Sequence, residues 1–249
     1  MKLTKEQLKK IFIKRKMNVL TETKVQKIEK LTSSVKVHTS NNNIITADQV
    51  LIAIGVQGNI ENLGLEESQI ELENGWIKTS KFMETSCAAI YAIGDLAGPP
   101  WLAHVASAEG IVAAEHLAGC NPSPMEYDNI PGCTYCNPEV ASVGLTEKEA
   151  IELGYDIKVG KFPFRALGKA VAVDETEGFV KVIYDAKYDE MLGCHIIGSN
   201  ATNIITEATI ARKLESTYYE VLHTVHPHPT LSEAIMEATA DAYGEAIHI

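Results

Sequence analysis

The stretch His226-Pro227-His228-Pro229-Thr230-Leu231-Ser232-Glu233 decides how the rest of the chain is read. Each proline fixes its own φ and pushes the residue before it towards extended geometry, so two imidazoles sit on a stiff turn. Five residues after His228 comes a carboxylate, Glu233, at the start of a run whose apolar spacing predicts a helix over Ser232–Gly244. An imidazole held in this way and oriented by a carboxylate is what general acid–base chemistry uses near neutral pH. Thr230-Leu231-Ser232-Glu233 equally fits a capping box, with Thr230 as N-cap and Glu233 reaching back to its backbone N–H. His226 reads as a residue that satisfies local hydrogen bonds.

Outward from this turn, the pattern is one of strands followed by helices. Val140–Gly144, Ile157–Phe162, Phe179–Tyr184 and Met191–Ile197 read as strands, and Glu147–Leu153 and Ala201–Glu215 as helices. That order predicts an α+β domain with a largely antiparallel sheet. Asn121-Pro122-Ser123-Pro124 is the linker before it, because two prolines within four residues stop a helix and stiffen the connection. Upstream, Lys2–Lys16 reads as an amphipathic helix with Leu3, Leu8, Ile11 and Phe12 towards a core. Short strands follow over Met17–Thr23, Val25–Leu31, Val35–Thr39 and Ile44–Thr46. Val50-Leu51-Ile52-Ala53-Ile54-Gly55 and Ala88–Ile93 are continuous apolar runs ending in glycine, which suits strands buried on both faces of a parallel sheet. A helix is expected from about His104 to Leu117.

Composition narrows the class. The 249 residues are 45% hydrophobic and 22% charged, ordinary for a soluble globular protein of two domains. No apolar run is long enough to span a membrane, and the lysine-rich start is not a signal peptide. Five irregularly spaced cysteines describe no secreted disulfide framework. A cytoplasmic location follows as an expectation. Residues 1–36 carry eleven Lys/Arg against three Asp/Glu, but no aromatics are interleaved for base stacking, so nucleic acid is not an expected partner. Leu214–Ile249 carries six acidic residues and no Lys or Arg, a surface able to steer a basic partner.

Two further motifs bear on chemistry. In Ala92-Ile93-Gly94-Asp95 the glycine permits close backbone approach, and a carboxylate at a strand's end accepts hydrogen bonds from hydroxyls. The helix after it directs free N–H groups and a partial positive charge at whatever lies before it. Cys133-Thr134-Tyr135-Cys136 invites a redox or zinc assignment, but Asn137-Pro138 and a strand follow rather than a helix, and no second Cys-x-x-Cys exists. Structural thiols and no metal site are expected there.

In wording and position His226–Glu233 resembles the carboxyl-terminal signature of the dihydrolipoamide dehydrogenase family, a branch of the pyridine nucleotide-disulfide oxidoreductases. The resemblance implies that His228 and Glu233 are the catalytic pair. It implies that Gly94 and Asp95 contact FAD, with the aspartate on the ribityl chain, and that Trp101, Leu102, Ala103 and His104 lie against the isoalloxazine. Ala53-Ile54-Gly55 is similar to the segment where the nicotinamide domain returns to the flavin domain, which makes Gly55 a close-approach glycine for NAD. The commonest family form continues with an arginine where this chain has Val56.

The resemblance covers nearly all of this chain but only the carboxyl-terminal half of the family. Its Cys-x4-Cys disulfide and G-x-G-x-x-G loops do not occur here. It divides the chain into partial α/β nucleotide-binding segments, 1–52 (end of the NAD-binding domain) and 53–124 (return of the FAD-binding domain), and an α+β interface (dimerisation) domain, 125–249. The implied activity is oxidation of protein-bound dihydrolipoamide with NAD as acceptor, by a homodimer that binds the subunit-binding domain of the acyltransferase of a 2-oxoacid dehydrogenase complex. This chain alone is expected to be inactive. The alternatives are another disulfide reductase, such as a glutathione or mercuric reductase, and a non-catalytic dimerisation or docking module.

Overall fold

The computed structural model describes residues 2–248, with side chains from Lys5 onward. In chain order the elements are α1 (Lys2–Lys14), β1 (Val25–Lys30), β2 (Val35–Thr39), β3 (Ile44–Ala47), β4 (Leu72–Glu73), β5 (Trp76–Ile77) and α2 (Ala103–Leu117). There follow β6 (Gly132–Thr134), β7 (Glu139–Gly144), α3 (Glu147–Glu152), β8 (Ile157–Pro163), α4 (Gly168–Ala172) and β9 (Phe179–Asp185). The last elements are β10 (Met191–Gly198), α5 (Ala201–Lys213), α6 (Tyr218–His223) and α7 (Glu233–Ala242). Two compact units form, Met1–Val19 with Glu126–Ile249, and Leu20–Met125. The second division falls just after Asn121-Pro122-Ser123-Pro124.

In the first unit five antiparallel strands pair in the order β6-β7-β10-β9-β8. Period-2 alternation sorts their side chains onto two faces. Val180, Val182, Tyr184, Cys194 and Ile196 point to the main core with α5 and α7, whereas Phe179 and Ile197 meet Ile11 of α1, and Ile183 and Leu192 meet Ala150 of α3. Both faces of the two central strands are thus covered, and every residue of β10 is buried. Burying each large aliphatic side chain contributes roughly 1.5–3 kcal/mol. Ile11 and Leu8 pack as the helical spacing predicts; the side chain of Leu3 lies outside the described residues.

Contacts between β8 and β9 and helix α7 fix that helix. A Cβ on Gly160 of β8 would lie 1.8 Å from the Ala238 carbonyl oxygen and 2.5 Å from the Ala242 nitrogen, so glycine is what lets the helix lie on the strand. Lys161 donates its backbone N–H to Asp241 at 2.8 Å, and the buried Tyr184 hydroxyl meets Thr239 at 2.9 Å.

The second unit contains the antiparallel sheet β1-β2-β3, the β4–β5 hairpin and α2, with Ile77, Met83, Ala92, Val105, Val112 and Ala113 buried. Here the expected strands at Val50–Gly55 and Ala88–Ile93 are corrected. Residues 50–55 are irregular, with Leu51 91% and Ile54 93% exposed, and Ala88–Ile93 contributes one isolated bridge, Glu84 to Tyr91. A strand of a parallel sheet exists only through hydrogen bonds to a neighbouring strand, and among the described residues no strand of a sheet pairs with either run. Met17–Thr23 is likewise not a strand. No helix is long and apolar enough to cross a membrane among the described residues.

Candidate functional site

The turn between α6 and α7 is built by local hydrogen bonds and one buried anchor. Thr230 donates its hydroxyl to the Pro227 carbonyl at 2.8 Å, and Leu231 is buried in the main core. Glu233 opens α7, and its two carboxylate oxygens do different work: one accepts the Thr230 backbone N–H at 2.8 Å, and the other accepts from His228 Nδ1 at 2.9 Å. One side chain thus serves the pair with His228 and one limb of the expected capping box, although the N-cap of α7 is Ser232 rather than the expected Thr230. Only half of the box forms, since the Thr230 hydroxyl caps nothing in the helix.

The electrostatics agree. Burial pushes the Glu233 carboxyl up, but the Thr230 N–H, the bond from His228 and the nearby imidazoles outweigh it and hold the group below the ordinary carboxylate range. An ionised carboxylate only accepts, so Nδ1 of His228 donates to Glu233, which leaves Nε2 as the nitrogen able to exchange a proton. Glu233 is 16% exposed and His228 74%, which places the oriented ring where a substrate from solution reaches Nε2. The arrangement is that of a fixed base with a stiff support.

The other sequence-designated residues belong to the second unit. Gly94 has a positive φ of 70°, and its N–H donates to Glu109 at 2.6 Å; the exposed Asp95 follows in the same helical turn, Gly94–Ala97. Trp101 and Leu102 lead into α2, which opens at Ala103 and His104 without a side-chain cap. Trp101 Nε1 is a buried donor with no protein acceptor. Gly55 has φ 126°, and nothing lies within 4 Å of where its Cβ would be. Together these residues form an anion-tolerant helix start beside an exposed carboxylate.

Cys133 and Cys136 are both free thiols. Burial, aided by Glu139, pushes the Cys133 thiol up, and Cys136 donates to the Pro138 carbonyl at 3.1 Å. A protonated thiol is a poor nucleophile.

Sequence reasoning missed two acids. Glu109 accepts from Gly94, and a glutamate within the small and apolar run of α2 was its signal. Glu207 of α5 receives His226 Nε2 at 2.7 Å from 19 residues away, a separation for which no local spacing rule exists.

Residues 130–239 match the dimerisation domain of the pyridine nucleotide-disulphide oxidoreductases, and residues 2–110 match a second model described as pyridine nucleotide-disulphide oxidoreductase. A dihydrolipoyl dehydrogenase of Rhizobium etli is 50% identical over 240 residues, covering 94% of this chain and 50% of the relative. One from Bacillus subtilis is 52% identical over 203 residues, 82% of this chain and 43% of the relative. The crystal structure of LpdA from Mycobacterium tuberculosis superposes with a TM-score of 0.87 at 25% identity, over 93% of this chain and 51% of that one. The chain spans about half the length of the curated relatives it matches.

Proposed function

The chain belongs to the pyridine nucleotide-disulphide oxidoreductase family, and from that premise we propose that it supplies the acid–base part of a dihydrolipoyl dehydrogenase, which oxidises protein-bound dihydrolipoamide to lipoamide with NAD as acceptor. The observation that carries this is the 2.9 Å contact between His228 Nδ1 and Glu233 on a ring open to solvent at Nε2. A thiolate, not a thiol, attacks a disulfide, so the substrate S–H proton needs an acceptor. Nε2 of His228 takes it. Glu233 holds the Nδ1–H tautomer and stabilises the imidazolium that results, a combination worth roughly 10² to 10⁴ in rate.

The residues of the second unit fit one wall of a flavin site. When bound, FAD supplies the electron relay between the dithiol and NAD. Asp95 accepts hydrogen bonds from a polyol chain, Gly94 admits its close approach, and Trp101, Leu102, Ala103 and His104 form the surface for a flat ring, with the orphaned Trp101 indole N–H facing a missing acceptor. Gly55 leaves backbone accessible to the nicotinamide nucleotide. No phosphate-cradling glycine loop lies in this sequence, so the 249 residues alone are inactive and hold no stoichiometric flavin.

In this proposal residues 1–52 and 53–124 are the ends of the NAD- and FAD-binding domains, and 125–249 is the interface domain of a cytoplasmic homodimer. Its acidic carboxyl-terminal region faces the basic subunit-binding domain of the acyltransferase. The test is a substrate comparison in a full-length enzyme carrying this chain. NAD-dependent oxidation of dihydrolipoamide is expected; turnover confined to glutathione disulfide or Hg(II), or none at all, would move the function to another branch or to a docking role.

A further inference from the structure

We propose that His226, clamped as an imidazolium between the Thr224 carbonyl and the Glu207 carboxylate, is a positioning residue that locks the turn presenting His228. The inference rests on His228 being the proton acceptor and adds a residue to that site.

Both ring nitrogens of His226 meet acceptors. Nδ1 lies 2.8 Å from the Thr224 carbonyl oxygen, and Nε2 lies 2.7 Å from Glu207 Oε1. A carbonyl oxygen cannot donate, so Nδ1 must, and an ionised carboxylate requires Nε2 to donate as well. A neutral ring would set a lone pair against a carboxylate. The next ring in the turn, His228, is bonded differently, with Nδ1 on Glu233. Two imidazoles two residues apart thus have different hydrogen-bond partners and different tasks.

The turn needs such a clamp. From His223 to Pro229 every residue but His226 is exposed, Val225 to 93%, while the His226 side chain is 6% exposed. Between the buried Val221 and Leu231, His226 ties the segment to α5, while His228 meets Glu233 at the start of α7. The groups facing it are all acidic: Glu207 from α5, Glu220 from α6 across a groove of about 360 Å³, and Glu233 from the start of α7. No lysine or arginine lines that groove. The hydrogen bond that His226 donates to Glu207 raises the His226 pKa above its ordinary value, against the opposing effect of burial. A raised folded value means that the clamp is complete below the unfolded pKa of about 6.5 and is released as pH rises through the folded value.

The test is imidazole nitrogen NMR of the 249-residue chain across pH, wild type against Glu207→Gln and Glu207→Asp. In the wild type both His226 nitrogens are expected to stay protonated above pH ~6.5, with His228 held in its Nδ1–H tautomer. In Glu207→Gln the His226 midpoint falls to the free-imidazole value or below, and His228 loses its tautomer preference; Glu207→Asp restores part of both. In a full-length enzyme Glu207→Gln is expected to lower kcat about tenfold with little change in KM, less than the ~10² that a 1 Å misplacement can cause. Free-imidazole titration of His226 in the wild type overturns the clamp, as does a His228 tautomer unmoved by Glu207→Gln. Full turnover in His228→Gln would instead remove the base assignment and leave the NMR result standing.

Discussion

At the scale of single residues, Glu233 was legible in the sequence in two ways: the contact with His228 is present, and of the capping box only the bond from the Thr230 N–H forms. The Thr-x-x-Glu spacing pointed to a cap, the His-x4-Glu spacing to an acid–base pair, and a carboxylate has two oxygens with which to satisfy each. Glu233→Gln is therefore expected to lower both stability, by about 1 kcal/mol, and turnover, by less than His228→Gln does. The Glu233 carboxyl is depressed in the folded state, so its contribution is present above the unfolded carboxylate pKa and disappears as pH falls through the folded value. Urea denaturation of the two proteins at pH 7 and at successively lower pH should show the gap closing. A variant that is less stable but turns over fully would leave Glu233 as a cap alone. The Glu207 partner of His226 was not legible, because the fold, not sequence proximity, brings α5 to the turn.

At the scale of elements, strands that carry their own partners were readable and those that do not were not. Four strands of the five-stranded sheet, β7 to β10, show up as apolar runs because their side chains are buried against helices in this same chain, whereas the three-residue β6 was not read. The runs at 50–55 and 88–93 have strand composition without strand neighbours, and composition alone does not make hydrogen bonds. Helix α6 escaped the sequence reading although Thr217 and Glu220 form a complete capping box, a signal that spacing could have revealed. Two outcomes test the packing. Gly160→Ala should lift α7 from β8 and cost about 1–3 kcal/mol, read as a lower urea midpoint. His195 of β10 donates Nε2 to the Leu145 carbonyl at 3.0 Å and buries Nδ1 without a partner, and burial brings its pKa down to about 4. The folded state thus resists protonation that the unfolded state accepts, so stability should fall from pH ~6.5 towards 4 by on the order of 3 kcal/mol. His195→Gln should flatten that slope.

At the scale of the whole molecule, the chain holds the His228–Glu233 pair in one unit and the uncapped start of α2, proposed above as one wall of a flavin site, in the other. Neither a G-x-G-x-x-G loop nor a Cys-x4-Cys pair occurs in these 249 residues. Light scattering of the chain at micromolar concentration is expected to give a dimer, because residues 130–239 match a dimerisation domain; a monomer throughout would count against an interface domain in 125–249. The most direct test of the acid–base assignment is His228→Gln in a full-length enzyme carrying this chain, assayed for dihydrolipoamide oxidation with the flavin absorbance monitored in the same sample. Turnover is predicted to fall by roughly 10² to 10⁴ with flavin still bound, and undiminished turnover would contradict the assignment.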